Sequence, residues 1–397
     1  MGSGYPVTGE QLRVCVVHGP GRPERDGVSD YVVRLSHALA AQGVQVSAVP
    51  VRPPRSSGWW TATLTAAREV RRLRPDVAHI QFAPSAYRFA RSPGLLPDLL
   101  PASLPTVTTL HEFGAWATPH WIPAGVWRPL EAARLWDRET GRLAPASTAL
   151  VVTNPEHGRL LRNRTGRHPV EIPLAPNVTD HAPASGARER VRSRLGLAPD
   201  AFLLVFFGFV HPVKGVRYLL EALPALRAER PALHLAVVGG FTSQALPEPE
   251  AQAYRAELTG LADRLRVSDA VTFTGHLPAA EVSELLHAAD AAALPFTAGV
   301  TLKSGALLAA LAHGVPTAVT PPDRLQGPLA AGRAVAVIPH RRDAGAVVTA
   351  LRPLLHDPDL RRRLGERGRK LVAERSWPVV AARHRDLYEL VCRRRGR

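Results

Sequence analysis

The chain has 397 residues, of which 45% are hydrophobic and 21% charged, a composition typical of folded globular proteins rather than disordered or fibrous ones. Its net charge is +16, but only Lys214, Lys303 and Lys370 of its 50 basic residues are lysines. The arginines occur in short, scattered clusters without interleaved aromatic residues, which favours a solvated surface over nucleic-acid binding. Membrane contact through a basic face is an alternative that the sequence does not favour.

Cysteine content and hydropathy predict a cytoplasmic protein. Cys15 and Cys392 are too few for a disulfide framework or a zinc site. The longest apolar run, residues 201–210, is about half as long as a bilayer crossing requires. Residues 1–11 lack the apolar core of a signal peptide.

Short apolar runs alternate with amphipathic stretches along the chain, which indicates parallel sheets with helical crossovers. Helices are predicted between the strands, for example at 28–41, 216–228 and 280–288. The predicted strands are residues 12–18, 44–51, 77–81, 106–110, 149–153, 170–172, 202–207, 233–238, 270–273, 291–294, 317–319 and 334–338.

One segment, residues 181–199, interrupts this alternation with prolines, small residues and the charged run RERVRSR. We therefore expect two α/β domains that meet at this segment. Doubly wound domains bind ligands at the carboxyl ends of their strands, which predicts a ligand cleft between the two. The expected bounds are 1–182 for the first domain, 183–199 for a linker, 200–375 for the second domain and 376–397 for a terminal helix.

Two candidate motifs lie in the first half. After the first strand, a loop rich in glycine and proline leads into a helix near Gly27. A helix N-terminus suits an anion, although an ordinary turn capped by Asp26 or Ser29 explains the loop equally well. His111 and Glu112 follow the strand 106–110, where a polar pair can bind the hydroxyls of a ligand. A histidine satisfied by the backbone is the alternative there.

Two further motifs lie in the second half, and each carries one of the few lysines. In GFVHPVKG, a strand runs into a short loop that places Lys214 where its ammonium can reach a phosphate. In GVTLKSG, a loop with Lys303 precedes a helix of small residues. Successive amides at such a helix start can hold a diphosphate, whereas a cation without an anion is unfavourable there.

Ten segments, taken in their order along the chain, resemble those of the retaining glycosyltransferases of family 4, which have the GT-B fold. The resemblance implies an α/β fold of two Rossmann-like, doubly wound domains that face each other across a cleft, with the last helix crossing back to the N-terminal domain. It also implies that the N-terminal domain binds the acceptor and the C-terminal domain the nucleotide sugar. The segments are GVSDYVVRLSHALAAQGVQV, RPDVAHIQ, TVTTLHEF, LVVTNPEHGRLL, PLAPNV, GFVHPVKGVRYLLEAL, LHLAVVGG, VTFTGHLPAAEVSELLHAADAAALPF, AALAHGVPTAV and SWPVVAARH.

The resemblance assigns roles to particular residues of this chain. As catalytic residues, His111 would hydrogen-bond the transferring sugar and Lys214 would neutralise the diphosphate. Gly27 would lie near the sugar and diphosphate. The remaining donor-site positions are Phe209, Val300, Thr301, Leu302, Lys303, Ser304 and Gly305 for the phosphates and sugar, and Gly275, His276, Leu277 and Ala309 for the nucleobase and ribose. Ser29, Asp30 and Glu112 would contact the acceptor.

The chain departs from the family pattern at three of these positions. Phe209 stands where the family usually has an arginine, and Thr301 and Ala309 stand where it has two glutamates. These changes imply altered sugar and ribose contacts, so an unusual donor sugar is favoured. We hypothesise that Lys303 partly replaces the missing arginine as a cation for the diphosphate.

The resemblance implies a retaining transfer that requires neither a metal nor another cofactor, and the sequence has no DxD pair to bind one. We expect transfer from a nucleotide-diphosphate sugar to a small soluble acceptor such as a natural product, an aminocyclitol or a thiol, in keeping with a role in antibiotic biosynthesis. The alternatives are a membrane-associated transferase for a lipid-linked or capsular glycan and a non-catalytic nucleotide-binding relative. The sequence predicts no oligomeric state.

Overall fold

A computed structural model describes residues 11–23, 26–53, 58–114, 123–181, 185–242, 246–322, 329 and 333–394. Each of the predicted strands is present, with its ends shifted by at most two residues. The strands are β1 (Arg13–His18), β2 (Gln45–Pro50), β3 (Val77–Phe82), β4 (Thr106–Leu110), β5 (Ala149–Val152), β6 (Val170–Glu171), β7 (Phe202–Phe207), β8 (Leu233–Val238), β9 (Val271–Gly275), β10 (Ala291–Leu294), β11 (Thr317–Val319) and β12 (Ala336–Val337).

The helices lie between these strands and at the end of the chain. Short 3-10 helices occur at Ser85–Tyr87, Ser92–Leu95, Pro212–Lys214 and Ser268–Ala270. The α-helices are α1 (Gly27–Ala40), α2 (Trp59–Leu73), α3 (Leu96–Leu99), α4 (Ala124–Ala132), α5 (Leu143–Ala146), α6 (Pro155–Thr165), α7 (Ala187–Arg194), α8 (Val216–Glu229), α9 (Glu248–Arg264), α10 (Ala279–Ala288), α11 (Gly305–Ala312), α12 (Ala344–His356), α13 (Pro358–Val372) and α14 (Trp377–Arg393). Among the described residues, none of the helices is long and apolar enough to cross a membrane.

The chain forms two compact units, which we call unit 1 (Met1–Pro173 with Trp377–Arg397) and unit 2 (Leu174–Ser376). Unit 1 contains a parallel sheet of order β2-β1-β3-β4-β5-β6. Its central strands β3 and β4 are buried at every position, as expected for a parallel sheet with both faces covered. The terminal helix α14 packs against α1 and so belongs to unit 1.

Unit 2 contains a second parallel sheet, of order β12-β11-β10-β7-β8-β9. This is the strand order of a doubly wound nucleotide-binding fold. Its core is one continuous cluster in which β7, β8 and α11 contribute most of their apolar side chains. The expected fold class, α/β with two doubly wound domains, is therefore confirmed.

The expected linker at 183–199 is wrong, because this segment contains α7 and is part of unit 2. Helix α7 packs against α10 and buries Val191. Its charges are structural: Arg188 and Arg192 contact the two carboxylate oxygens of Asp290 at 2.6 and 3.2 Å. The units instead divide after Pro173, upstream of the expected boundary at 182.

Candidate functional site

The loops after β7 and β10 lie at the topological switch point of unit 2. The two strands are neighbours, and the chain continues from β7 to β8 on one side and from β10 to β11 on the other. Such loops diverge and leave room for a ligand at the carboxyl ends of the strands. The loop after β7 carries Lys214, and the loop after β10 carries Lys303.

Close backbone packing brings these two loops together. Gly239 has φ of +145°, and a Cβ there would overlap the carbonyl oxygen of Gly208. A Cβ on Gly208 would lie 3.5 Å from the Cβ of Ala306 in the first turn of α11. The start of α11 therefore lies beside the carboxyl end of β7, and only glycine allows the strand ends to approach so closely.

Lys214 is a half-buried cation at this switch point. It ends the 3-10 turn Pro212–Lys214, which is capped by His211 through a hydrogen bond from the Val213 amide to Nδ1 at 3.2 Å. Its Nζ lies 3.9 Å from the centre of the Phe296 ring, a favourable cation–π contact. Burial lowers its pKa to about 8. In the described part of the chain no carboxylate lies within salt-bridge distance of it, so an anionic ligand would offset the cost of its burial.

The loop before α11 uses several of its own amides. Val300 donates to the Thr320 carbonyl at 2.9 Å, Ser304 to the Thr301 carbonyl at 2.9 Å and Lys303 to the Thr301 hydroxyl at 3.3 Å. These three amides are thus engaged within the protein. In the first turn of α11 the Leu307 amide donates to the Ser304 hydroxyl at 3.3 Å, so the amides of Gly305 and Ala306 are the better anion donors.

The start of α11 also faces an unsatisfied polar atom. A Cβ on Gly305 would lie 3.0 to 3.2 Å from the side-chain atoms of Asn177. The Oδ1 atom of Asn177 is buried and has no hydrogen-bond partner in the structure. A buried amide oxygen without a donor is costly, and a ligand hydroxyl or amide at this position would satisfy it.

The positions that depart from the family pattern have different surroundings. Phe209, Thr301 and Leu302 are half-buried around the two loops. Ala309 is fully buried in the core of unit 2. The expected contact between Ala309 and the ribose is therefore wrong, since its methyl group neither reaches the surface nor offers a hydrogen bond.

The three residues expected at the nucleobase stand at the end of β9. Gly275 has φ of +70° and accepts a hydrogen bond from the Gly239 amide at 3.0 Å. His276 is exposed and Leu277 half-buried. They share the carboxyl edge of the sheet with Gly208 and Gly239, the edge at which nucleotides bind in doubly wound folds.

In unit 1, His111 lies directly after β4 and is held in a fixed orientation. Its amide donates to the Phe82 carbonyl at 2.9 Å, and its Nε2 lies 2.8 Å from Oε1 of Gln81. The Tyr31 ring contacts it edge-on, with ring centres 4.9 Å apart. Burial, with smaller contributions from His384 and His157, lowers the pKa of His111 to about 3. The imidazole is therefore neutral at physiological pH.

A buried polar chain connects His111 to the terminal helix. Nε2 of Gln81 lies 2.9 Å from Nε2 of His79, and Nδ1 of His79 lies 2.6 Å from the Tyr388 hydroxyl on α14. Because the Gln81 oxygen accepts from His111, its amide group donates to His79. His111 then carries its proton on Nε2, which leaves the lone pair on Nδ1 as an acceptor for a ligand hydroxyl.

Sequence reasoning missed Gln81, His79 and Tyr388. The signal was the strand VAHIQF, which places two polar side chains in a run that is otherwise apolar and fully buried. Because buried polar groups require partners, this strand indicates a hydrogen-bond network. The sequence alone does not identify the partner, since α14 is distant along the chain.

Replacing Gln81 with leucine is expected to lower turnover about tenfold, because His111 loses the acceptor that fixes its ring, at a cost of about 1.4 kcal/mol. Nucleotide affinity, which the resemblance places in the C-terminal domain, should be unchanged. Steady-state kinetics combined with a nucleotide titration would test this. Gln42→Leu is the matched control, because Gln42 donates to the Pro378 carbonyl and not to His111. Equal turnover in the two variants would contradict the positioning role.

The described part of the loop after β1 ends in a capped turn. Asp26 caps α1, accepting from the Ser29 amide at 2.9 Å and from the Ser29 hydroxyl at 2.6 Å. A carboxylate at this helix start would repel a phosphate. Ser29 is buried, and its contact with the acceptor stays a prediction. Gly27 adjoins open space but offers no cation.

The other two residues expected at the acceptor are half-buried and engaged. Asp30 forms an ion pair with Arg34 at 2.9 Å on α1. Glu112 accepts from the Ser85 hydroxyl at 3.0 Å to each carboxylate oxygen. Both keep exposed surface, so each can accept further hydrogen bonds from a ligand hydroxyl.

A buried ion cluster, also missed from the sequence, holds the loop that follows His111. Glu139 accepts from the Gly114 amide at 2.8 Å and pairs with Arg164 at 3.0 Å. Arg164 also contacts Asp137 at 2.7 Å and lies over the Phe113 ring at 4.0 Å. Burial raises the pKa of Glu139, an effect opposed by its hydrogen bonds to Gly114 and Arg164. These contacts restrain the backbone next to the candidate residues.

Comparison with known proteins assigns this architecture to a family. Residues 187–371, which contain both lysine loops, match the family of glycosyl transferases group 1. The D-inositol 3-phosphate glycosyltransferase of Streptomyces coelicolor is 26% identical, over 94% of this chain and 88% of that protein. Residues 187–371 thus match a glycosyl transferases group 1 domain, within a chain that has the GT-B fold.

Solved structures of this fold align with nearly the whole chain. Sucrose-phosphate synthase from Thermosynechococcus elongatus aligns with a TM-score of 0.72 at 20% identity, over 96% of this chain and 99% of that one. Anabaena HepE in complex with UDP and glucose aligns with a TM-score of 0.67 at 14% identity, over 95% and 99%. At such identities the likeness concerns the fold alone.

Proposed function

We propose that this glycosyltransferase moves a sugar, with retention, from a nucleoside-diphosphate donor held by unit 2 to a small polyhydroxylated acceptor held by unit 1. The observation that carries the proposal is Lys214, a half-buried cation that packs against Phe296 in the loop that leads into α11 and has no carboxylate partner in the described residues. A diphosphate is the ligand that such a cation and such amides bind together.

The chemistry assigned to these groups is stabilisation of the leaving group. As the bond between sugar and diphosphate breaks, negative charge grows on the diphosphate, and Lys214 with the α11 amides stabilises it where it develops. In a retaining transfer the acceptor attacks the face from which the diphosphate leaves, and a leaving oxygen can take the acceptor proton. The neutral His111, with its lone pair on Nδ1, hydrogen-bonds a hydroxyl of the transferring sugar.

The relatives narrow the substrates that we propose. The curated relatives act on D-inositol 3-phosphate by name, and the HepE structure contains UDP and glucose. We therefore propose a cyclitol or a similar small polyol as the acceptor and a uridine-diphosphate hexose as the first donor to test. The missing glutamates at Thr301 and Ala309 favour a donor other than UDP-glucose.

The test is a transfer assay with nucleotide sugars and with cyclitols and their phosphates, read by release of nucleoside diphosphate and by product mass. We expect one donor–acceptor pair to give a product whose anomeric configuration by NMR matches that of the donor. An inverted product would contradict retention. Tight nucleotide binding without turnover across the panel would contradict the enzymatic function and favour a non-catalytic nucleotide-binding relative.

Lys303→Ala is expected to weaken nucleotide-diphosphate binding about tenfold, because one charge-assisted contact with the phosphates is lost. Lys370→Ala is the control, since Lys370 is an exposed lysine on α13. The affinities are to be compared by calorimetric titration. Unchanged affinity in Lys303→Ala would rule out the proposed compensation for Phe209.

One surface favours a membrane-associated transferase as the second candidate. Helix α4 and the residues after it expose Val126, Leu130 and Leu135 at 59%, 42% and 54%, with Arg128 and Arg134 exposed beside them. Apolar and basic side chains together suit an anionic lipid surface. Sedimentation with anionic vesicles, lost on Leu130→Ser, would support this candidate. No sedimentation of the parent protein would exclude it.

A further inference from the structure

Two histidines and an aspartate converge in unit 2, outside the donor loops. Asp180 follows the start of the unit, His287 lies in the last turn of α10, and His313 caps the end of α11. Each of the three residues offers one ligand atom, and these atoms all lie within 4.8 Å of one another. These residues are far apart in sequence, so ligand spacing along the chain could not reveal them.

We propose that Asp180, His287 and His313 form a binding site for a divalent transition-metal ion such as Zn²⁺. Two imidazoles and one carboxylate are a ligand set suited to zinc and its neighbours, not to magnesium or calcium. In a tetrahedral zinc site the ligand atoms lie about 3.3 Å apart, given bonds of about 2.0–2.1 Å. The distances from Asp180 Oδ1 to the His287 and His313 nitrogens, 2.8 and 3.9 Å, bracket this value.

His313 has the orientation of a metal ligand. Its Nδ1 donates to the Ala309 carbonyl at 2.8 Å, which leaves the lone pair on Nε2 and aims it at the cluster. Metal-binding histidines use this arrangement, in which the second ring nitrogen is fixed by a backbone carbonyl. The Ser283 hydroxyl, 2.8 Å from Nε2, shares that lone pair and must turn aside when a metal binds.

His287 must change its hydrogen bonds to bind the metal. Its Nε2 lies 2.8 Å from Asp180 Oδ1 and 3.0 Å from the His181 carbonyl oxygen, so its proton is shared between two oxygens. Metal binding at Nε2 would move this proton to Nδ1 of the same ring, which gives the other neutral tautomer. The Asp180 oxygen then binds the metal as a ligand. Three protein ligands leave one tetrahedral position open, and the His181 carbonyl oxygen lies beside it.

Helices α10 and α11 both end at the site, where the helix dipole favours positive charge. Arginines already use part of this charge, since Arg188 donates to the Ala288 carbonyl at 2.7 Å and Arg369 to the His313 carbonyl at 3.0 Å. The donor loops lie at the other end of α11, at Gly305. A metal here would join the first segment of unit 2 to two of its helices, and we therefore expect it to stabilise the unit rather than take part in transfer.

The test uses the full-length protein without a histidine tag, treated with chelator and then titrated with Zn²⁺ by calorimetry. We expect one ion per chain and a rise in the unfolding temperature, on the order of 5 °C at a hundredfold excess over Kd. Mg²⁺ and Ca²⁺ should have no effect. Co²⁺ should give the visible absorption of a tetrahedral site.

Asp180→Asn and His287→Asn are the decisive variants, because both residues are accessible and their replacement need not disturb the core. We expect each to weaken Zn²⁺ binding by more than the roughly 10- to 100-fold that the loss of a second-shell partner costs. His356→Asn is the matched control, since His356 forms an exposed pair with Glu229 at 3.0 Å. Absence of binding, or equal binding in all three variants, would overturn the proposal.

Discussion

Lys214→Ala is expected to reduce turnover about 10²- to 10³-fold, the usual cost of removing a group that stabilises charge developing in the transition state. The side chain has no carboxylate partner in the described residues, so its loss breaks no ion pair there. Its ring contact with Phe296 at 3.9 Å is replaced by solvent. Nucleotide affinity should fall as well, because the charge also attracts the diphosphate before it leaves.

Lys214→Arg and Lys370→Ala are the controls for this loss. Arginine keeps the charge but not the compact ammonium, so it should restore nucleotide affinity more than turnover. Lys370→Ala removes an exposed lysine on α13 and should change neither quantity. If Lys214→Ala retained full turnover with an unaltered fold, the assignment of the leaving-group cation would be wrong.

The lowered pKa of Lys214 adds a pH dependence. Its value of about 8 means that the ammonium loses its proton within the ordinary assay range. The ratio kcat/KM, which follows ionisation of the free enzyme, should fall as pH rises through about 8. The Lys214→Arg variant should not show this decline, because arginine stays charged.

Unit 1 is expected to lose stability steeply as the pH falls below 6.5. Burial lowers the pKa of His111 to about 3, that of His384 to about 4, and that of His79 well below the ordinary value of 6.5. Below pH 6.5 the unfolded chain binds protons that the folded unit does not. The stability contributed by these neutral histidines is therefore complete above pH 6.5 and is lost progressively towards the folded-state values.

Each fully buried histidine contributes a slope of about 1.4 kcal/mol per pH unit, and His111, which is half-buried, contributes less. Over two pH units the sum is several kcal/mol, a large part of the 5–15 kcal/mol that stabilises a typical domain. Urea unfolding at pH values from 7.5 to 4.5 measures the slope directly.

His384→Leu tests whether the buried histidines cause this acid sensitivity. Nε2 of His384 is buried without a hydrogen-bond partner, and Nδ1 donates to the Val380 carbonyl at 2.8 Å, so leucine removes a titrating group at the cost of one hydrogen bond. The variant should have a shallower dependence of unfolding free energy on pH. His356→Asn, which changes an exposed histidine, should leave the slope nearly as it is. An unaltered slope in His384→Leu would show that other groups control acid unfolding.

The strands and the ends of the strands could be predicted because their signal is local. Each apolar run, such as residues 202–207, must be covered on both faces, and the polar residue after it must lie at the carboxyl edge. This reasoning located Lys214 and His111 correctly after β7 and β4. The segment 183–199 shows the limit of this reasoning. A charged run is expected to be solvated unless its ion-pair partner is known, and here that partner, Asp290, is distant in sequence.

The unpredicted parts of the site depend on contacts between distant segments. Gln81 meets His111 because β3 and β4 are in a particular register, and His79 meets Tyr388 because α14 packs back onto unit 1. Likewise the cap formed by Asp26 was one of two interpretations of the same residues. Only the folded geometry distinguishes such readings.

The central claim is that the loops after β7 and β10 bind the diphosphate of a nucleotide sugar. The most direct test is a thermal-shift measurement on the parent protein and Lys214→Ala with UDP, GDP, dTDP and ADP and their common sugar conjugates. Our account predicts that one nucleotide raises the unfolding temperature by roughly 5–10 °C at a hundredfold excess over Kd, and that Lys214→Ala loses most of this rise. No rise with any of them, or an equal rise in the variant, would contradict it.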